Sequence, residues 1–405
     1  MSLIVQKFGG SSVRDAERIR NVAGIIADTY RAGTQVLVVL SAQGDTTDDL
    51  IDKAKEINPR ASRREMDMLL SAGEQISVAL CAMALEAMGL PVVSLLAWQA
   101  GIQTTSVHSD ARIKRIDKER IQQELDKNKI VLVAGFQGIS RFGDVTTLGR
   151  GGSDTSAVAL AAAFNAELCQ IYTDVDGVYT TDPRIAPNAK KLPEITYDEM
   201  LELASQGAQV LHNRSVELAK KYHVNMEVVS SLERKPGTKV KEVVKMMEKT
   251  NIAGVAKDTS IARIALVGLA NNPGVAFRVF SLLGKARVNI DTIIQSIGRQ
   301  ESKDISFTLP QSSVETACRV LEEQKQSLGF DHITVDDKIA KVSIVGAGMM
   351  TTPGVAAKMF EALYDANINI QMINTSEIRV SVLIDESDAA AAVRAVHDKF
   401  FGEGE

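Results

Sequence analysis

Over residues 1–230, short apolar runs alternate with longer segments whose apolar residues recur at helical spacing. Leu3–Phe8, Gln35–Leu40, Val92–Leu96, Ile130–Phe136, Leu168–Thr173 and Met226–Ser230 are rich in Val, Ile and Leu, the pattern of strands buried on both faces. Between them, Ile19, Val22, Ala23, Ile26 and Tyr30 mark one face of a helix. A second helix runs from Gln75 to Met88 and stops at Gly89, ahead of Pro91. Strand and helix in alternation predict an α/β domain with an open, mainly parallel sheet and helices on both faces.

Beyond Thr250 the texture changes and a repeat appears. Asn-Asn-Pro-Gly-Val-Ala at 271–276 is answered 80 residues later by Thr-Thr-Pro-Gly-Val-Ala at 351–356. The same offset pairs Ile264 with Ile344, Phe280 with Phe360, Leu283 with Leu363 and Asn289 with Asn369. Each copy reads strand, Pro-Gly loop, helix, strand, strand, helix, the ferredoxin-like βαββαβ order. The first copy closes with a strand, His332–Asp336, whereas the second ends on the helix Asp388–Phe400. The apolar segment Asn251–Ala256 can supply the strand it lacks. The expected organisation is a catalytic domain at 1–235, a linker at 236–250, and repeat domains at 262–337 and 338–405, with 251–261 donating a strand to the second.

Composition narrows the function. The 46 basic and 51 acidic residues give a net charge of −5 with no block of one sign, which argues against a nucleic-acid stripe or a membrane-surface patch. The uninterrupted apolar runs fall well short of the roughly 20 residues of a spanning helix, and no basic segment precedes the first strand. Cys81, Cys169 and Cys318 are scattered, so the expectation is a soluble protein of a reducing compartment, most simply the cytoplasm. The five histidines form no triad or zinc pattern and read as structural or surface residues, and Trp98 reads as core.

Three motifs can carry chemistry. Lys7-Phe8-Gly9-Gly10-Ser11-Ser12 joins a strand to a helix, where glycines let backbone N–H groups approach a phosphate and a lysine reaches the same oxygens. It lacks the P-loop spacing, and a glycine turn kept only for packing is the alternative. Gly149-Arg150-Gly151-Gly152-Ser153-Asp154-Thr155-Ser156 opens an apolar helix that Ser153 or Asp154 can N-cap; its glycines and Arg150 also suit a carboxylate. Thr173-Asp174-Val175-Asp176-Gly177-Val178-Tyr179-Thr180-Thr181-Asp182-Pro183-Arg184 carries an Asp-Gly hairpin signal and side chains able to contact a nucleotide. Thr47 lies in a polar loop past the second strand, the edge where open α/β sheets bind ligands, and Glu74 opens a helix. Two anion sites in one domain suggest a nucleotide beside an acidic cosubstrate.

These three motifs resemble those of aspartate kinase, a member of the amino-acid kinase superfamily. The Pro-Gly repeats resemble the paired ACT domains of its monofunctional type, in the same order along nearly the whole chain. The resemblance implies transfer of the γ-phosphate of Mg-ATP to the β-carboxylate of L-aspartate, the first step towards lysine, threonine and methionine. It implies that Lys7, Glu74 and Asp154 are catalytic. The nucleotide would be held by Lys7, Gly9, Gly10, Ser11, Thr173, Asp174, Tyr179, Asp182, Arg184 and Gln209. Aspartate would be held by Ser41, Thr47, Glu74, Arg150, Gly151, Gly152, Ser153 and Asp154. Mg²⁺ would ride on the ATP oxygens, with no metal site of the protein's own. Effector amino acids, threonine and/or lysine, would bind near Asn271, Gly274, Ala276, Asn289, Ile290, Asp291, Gln295, Asn369 and Ile370. ACT pairing would make a homo-oligomer, a dimer or tetramer, or a complex with a separate ACT-only subunit. Two departures stand out: Gln209 replaces the usual Lys, which implies weaker ATP binding, and Asn271 replaces the usual Asp, which weakens the case for a cationic effector. Another amino-acid kinase, or a regulatory subunit with a weakened kinase domain, are the rival readings.

Overall fold

The computed structural model describes residues 2–208, 210–242, 252–297, 302–350 and 352–402. Packing divides the chain into two units, residues 1–179 with 190–247, and residues 180–189 with 248–405. The first unit begins β1 (Leu3–Phe8), α1 (Ala16–Arg31), β2 (Gln35–Leu40), α2 (Thr46–Ile57), α3 (Arg63–Leu70), α4 (Ala72–Ala87) and β3 (Val92–Leu95). It continues β4 (Ile102–Thr104), β5 (Ile113–Ile116), α5 (Glu119–Asp126), β6 (Ile130–Ala134), β7 (Gln137–Ile139), β8 (Val145–Thr147), α6 (Gly152–Phe164) and β9 (Leu168–Thr173). It closes β10 (Glu194–Thr196), α7 (Tyr197–Ser205), α8 (Asn213–Tyr222), β11 (Met226–Ser230) and β12 (Thr238–Lys241).

The main sheet has the order β10-β12-β11-β9-β1-β2-β6-β3 and is parallel throughout except where β12 meets β11. Strands β2 and β6 are buried almost end to end, which is why they read as unbroken apolar runs. Phe8 and Tyr172 stack across β1 and β9 with ring centroids 4.5 Å apart, and Ile19, Val22 and Ile26 of α1 close the same core. Helices α3 and α4 nearly abut over Arg63–Ala87, a 25-residue stretch apolar enough to cross a membrane by length and composition. Half of its most apolar part is buried in the protein, and Val78, Cys81 and Leu85 pack into the same core as α1.

Some expectations need correcting. The 236–250 segment is not wholly a linker, because 238–241 form β12, fixed where Thr238 Oγ accepts from Val178 N–H and donates to the Leu192 carbonyl. Asp176-Gly177 does not turn a two-stranded hairpin. β9 ends at Thr173, and the following loop is tied by Asp176 to Tyr179 and Lys191, with a single bridge from Tyr179 to Lys191. Residues 180–189 pack with the second unit, so the first unit is not one continuous stretch. A small sheet ordered β5-β4-β7-β8 had no sequence signal, its strands being only three or four residues long. Trp98 is 36% exposed rather than core.

The second unit contains two sheets. One is β15 (Ile293–Ile297), β16 (Ser302–Pro310), β14 (Ile261–Ala270) and β17 (His332–Asp336), in that order, with helices α9 (Val275–Lys285), α10 (Val314–Glu322) and α11 (Lys325–Leu328). The other is β13 (Gly254–Asp258), β18 (Ile339–Val345), β20 (Arg379–Asp385) and β19 (Met372–Ser376), with α12 (Val355–Asp365) and α13 (Ala389–Phe401). The 80-residue repeat holds in the backbone: Gly274 and Gly354 both N-cap their helices at φ 89°, and Arg287 and Asn367 both leave them at positive φ. β13 pairs antiparallel with β18, taking the edge that β17 takes in the first repeat.

Candidate active site

The centre of the first unit lies at the carboxyl ends of β1 and β2. After Phe8 the chain makes a short 3₁₀ turn over Gly10–Ser12 before α1, which Asp15 caps by accepting from Arg18 N–H. Gly10 is required by close approach, since a Cβ there would stand 2.8 Å from the Ala42 carbonyl oxygen. Gly44 N–H donates to Gly10 O, locking this turn to the loop after β2. Ser12 Oγ donates to Ser231 Oγ, which donates to the Thr173 carbonyl, so the turn is also fixed to the ends of β9 and β11.

Lys7 projects from β1 with its Nζ 2.6 Å from Asp154 Oδ1, both side chains 12% exposed. Asp154 stands in the first turn of α6, where the helix dipole adds positive potential. Neither Ser153 nor Asp154 is the N-cap, as the sequence had suggested. Gly151 is, at φ 64°, and His212 packs so tightly on it that any Cβ would collide with the imidazole. Burial lowers the pKa of His212, against the opposing pull of Asp154, so this ring serves as a neutral packing surface.

Gly10, Ser41, Thr47, Glu74, Phe136, Gly152 and Ser153 line a cavity of about 210 Å³. Thr47 sits in the first turn of α2 rather than in a loop, because Thr46 and the acids at 48 and 49 make a favourable helix start. Glu74 is 3% exposed. Its Oε1 accepts from Ala42 N–H, while Oε2 has no hydrogen-bond partner among the described residues. Burial pushes its pKa up to about 8, against the lowering effect of hydrogen bonds from its own N–H and that of Ala42. Phe136 adopts φ 66°, a conformation rare for an aromatic residue, with its N–H bonded to Ser156 Oγ. Sequence reasoning missed Phe136, since only its backbone angle marks it.

A larger neighbouring cavity of about 360 Å³ is lined by Asp110, Arg112, Leu148, Arg150, His212 and Arg214, among others. Arg214 donates to the carbonyls of Leu148 and Ala111, and so buckles the Arg150 segment to the loop before β5.

The third motif divides. Thr173 ends β9, its hydroxyl donating to Asp174 Oδ1, and the Tyr179 hydroxyl donates to Asp176 Oδ1, which raises the Tyr179 pKa. Lys191 joins Asp176 at 3.1 Å and the Pro236 carbonyl at 2.9 Å; neither Asp176 nor Lys191 was singled out from sequence. Asp182 and Arg184 belong to the second unit, where the guanidinium forks onto the carboxylate. Gln209 lies outside the described residues.

In the second unit, Asn271, Gly274 and Ala276 lie on the segment that opens α9, Asn289 to Asp291 lead into β15, and Gln295 sits within it. Asn369 and Ile370 lead into β19. Asp291 is already engaged: Lys341 Nζ lies 2.8 Å from its Oδ2, and Thr292 and Thr308 donate their hydroxyls to the same oxygen.

Residues 2–230 match the model of the amino acid kinase family, and residues 264–324 and 342–400 match an ACT domain. The chain is 50% identical over 410 residues to an aspartokinase from Corynebacterium glutamicum, covering 100% of this chain and 97% of the relative. A Bacillus aspartokinase matches at 50% over 400 residues, with 99% and 97% covered. The chain belongs to the aspartokinase family. Among solved structures, E. coli aspartokinase III in complex with aspartate and ADP superposes with a TM-score of 0.85 at 26% identity, covering 98% of this chain and 100% of that one. The aspartate kinase of Clostridium acetobutylicum gives 0.76 at 26% identity, with 98% and 100% covered. The α/β fold of the aspartokinase catalytic unit and its ACT repeats is thus common to this chain and these enzymes.

Proposed function

We propose that this aspartate kinase transfers the γ-phosphate of ATP to the β-carboxylate of L-aspartate at the junction of β1, α4 and α6. The observation that carries the reading is the Lys7–Asp154 pair, set between two glycine turns beside a buried carboxyl, Glu74, with an unsatisfied oxygen. The β-carboxylate is ionised at neutral pH and needs no general base. One of its oxygens attacks the γ-phosphorus, the bond to the β,γ-bridging oxygen breaks, and ADP leaves as 4-phospho-L-aspartate forms. The protein's part is positioning and charge neutralisation. Lys7 meets the charge growing on the transferring group, and Asp154 aims Lys7. N–H groups of Gly10 and Ser11 face the phosphates, Gly9 lets the chain pass close beside them, and Thr173, Asp174 and Tyr179 flank the nucleotide. Glu74 takes the substrate ammonium on its free oxygen, Arg150 takes the α-carboxylate, and Ser41, Thr47 and Ser153 complete the cradle. The donors around the phosphates are N–H groups and an ammonium, so Mg²⁺ is assigned to the ATP oxygens.

Regulation is assigned to the ACT repeats, with threonine or lysine as effector and with Asn271 favouring the uncharged side chain. Ile293 and Ile373 are about half exposed on the edge strands β15 and β19, which suits pairing with a second copy. A protein consuming ATP and aspartate is placed in the cytoplasm. The test is incubation with Mg-ATP, L-aspartate and hydroxylamine, alone and with threonine, lysine or both, reading trapped aspartyl hydroxamate. Aspartate-dependent hydroxamate is expected; its absence at saturating ATP would overturn the assignment.

A further inference from the structure

Asp67, on α3, is a fully buried carboxylate outside the residues discussed so far. Its two oxygens accept from Ser109 N–H at 3.0 and 3.1 Å, Thr147 N–H at 3.0 Å, Thr147 Oγ1 at 2.7 Å and Ser109 Oγ at 3.4 Å, and His108 Nδ1 lies 3.0 Å away. Its two oxygens satisfy donors from two backbone segments that share no ladder with α3, a demand that a side chain with a single acceptor meets poorly. One of those segments is under strain. Ser109 adopts φ 67°, a left-handed conformation that a non-glycine residue holds only where its surroundings impose it. The bifurcated bond from Ser109 N–H to Asp67 is what fixes it here.

The strained loop bears on the substrate side. The Ser109 carbonyl oxygen lies 3.0 Å from where a Cβ on Gly149 would be, so Gly149 and hence Arg150 rest directly on this loop. Ala111 N–H donates to the Thr147 carbonyl, and Arg214 clasps Ala111 O and Leu148 O together from the other side. Asp110 and Arg112, on the same loop, line the wall of the 360 Å³ cavity beside Arg150.

We propose that Asp67 is a positioning residue for aspartate recognition: it pins Ser109 and Thr147, and through them sets where Arg150 presents its guanidinium. The proposal rests on the reading of Arg150 as the partner of the substrate carboxylate. It places no role for Asp67 on the phosphate side, where Lys7, Gly10 and Asp154 are held by other bonds.

The test uses the full-length protein and the hydroxamate assay with aspartate and ATP varied separately. D67N keeps the shape but replaces one acceptor by an NH₂ group facing N–H donors. It is expected to raise KM for aspartate at least tenfold while kcat and KM for ATP stay within twofold. The double variant D67N/S109G is expected to recover most of that loss, since glycine takes the left-handed conformation without a side-chain penalty. A merely structural role would move both KM values and kcat together and would gain nothing from glycine at 109; either result overturns the proposal. If D67N does not fold, T147V removes one hydroxyl donor and should raise KM for aspartate severalfold with the same split; an unchanged KM overturns the proposal. R150A separates the two levels of the argument. A raised KM for aspartate in R150A with none in D67N overturns the role of Asp67 alone, whereas no change in R150A overturns the reading of Arg150 and the proposal with it.

Discussion

Replacing Glu74 by Gln tests the chemistry of the site without changing its shape. Gln keeps the acceptor for Ala42 N–H but cannot ionise. The Glu74 carboxyl titrates near 8 rather than 4.5 because folding removes it from water. At 1.36 kcal/mol per tenfold, that difference corresponds to about 5 kcal/mol. The sign follows from proton uptake. Below pH 4.5 the carboxyl is neutral in both folded and unfolded chains, and its contribution is fully present. As pH rises from 4.5 towards 8 only the unfolded chain releases the proton, so stability falls, and above 8 it is level. E74Q feels none of this. Its melting temperature should match the parent near pH 4.5 and exceed it by about 10 °C or more at pH 9, taking roughly 2–4 °C per kcal/mol for a unit of this size. Substrate supplies a second readout. If the ammonium of aspartate pairs with ionised Glu74, KM for aspartate in the parent should fall about tenfold between pH 7 and pH 9, and E74Q should bind weakly with no such slope. Differential scanning fluorimetry across pH 4.5–9, with and without aspartate, decides the matter. Melting curves of the two proteins that run parallel over the whole range would refute the elevated carboxyl.

Lys7→Met should lower kcat about 10²–10³-fold, the cost of losing one group that stabilises transition-state charge, with a far smaller effect on nucleotide affinity by calorimetry. Gly10→Ala, which brings a methyl against backbone atoms of Ala42 and Gly44 that cannot swing away, should force the turn to shift, weakening ATP binding by calorimetry and lowering the melting temperature by several degrees. Lys341→Met leaves Asp291 without its ion partner. It should destabilise the second unit by about 2 kcal/mol, less than the roughly 3–5 of a fully buried pair because Asp291 retains some contact with water. Burial alone would raise the Asp291 pKa, but the Lys341 ammonium overrides this and holds it below the ordinary carboxylate range. Its contribution is therefore present above about pH 4 and lost as pH falls through the depressed value. Acid unfolding of the second unit should begin at higher pH in D291N than in the parent, as read by circular dichroism.

The parallel sheet was legible because burial on both faces leaves no polar positions. The runs Leu3–Phe8, Gln35–Leu40, Leu168–Thr173 and Met226–Ser230 coincide with β1, β2, β9 and β11. The repeat was legible because both copies need glycine at the same left-handed helix entry, Gly274 and Gly354. What escaped was whatever depends on side chains distant in sequence. The small sheet β5-β4-β7-β8 is built of strands too short to show a period, and Asp67 stands 42 residues from Ser109 and 80 from Thr147, its main partners. The Asp-Gly signal at 176–177 failed because Asp176 spends its carboxylate on Tyr179 and Lys191, which bends the loop away from a hairpin. The same limit holds in the effector region, where Asp291 pairs with Lys341 across 50 residues of sequence, a contact without a sequence signal.

The buried charges of the catalytic unit argue for how folding and substrate recognition are linked. Asp67 has its donors, Lys7 has Asp154, Glu124 is met by Lys127 and Lys129, and Arg214 is spent on two carbonyls. Among the described residues, Glu74 Oε2 is the buried carboxylate oxygen left with neither hydrogen bond nor ion pair. A buried carboxyl in that condition costs stability whenever it ionises, and the fold tolerates it by holding the proton. A cation entering the cavity reverses the balance: it takes the free oxygen, releases the proton and gains an ion pair in a site screened from water. Lysine or arginine from the chain would have satisfied Glu74 permanently and filled the space that Ser41, Thr47 and Gly152 leave open. Under the role proposed for Glu74, the stability given up there is recovered when the substrate ammonium binds.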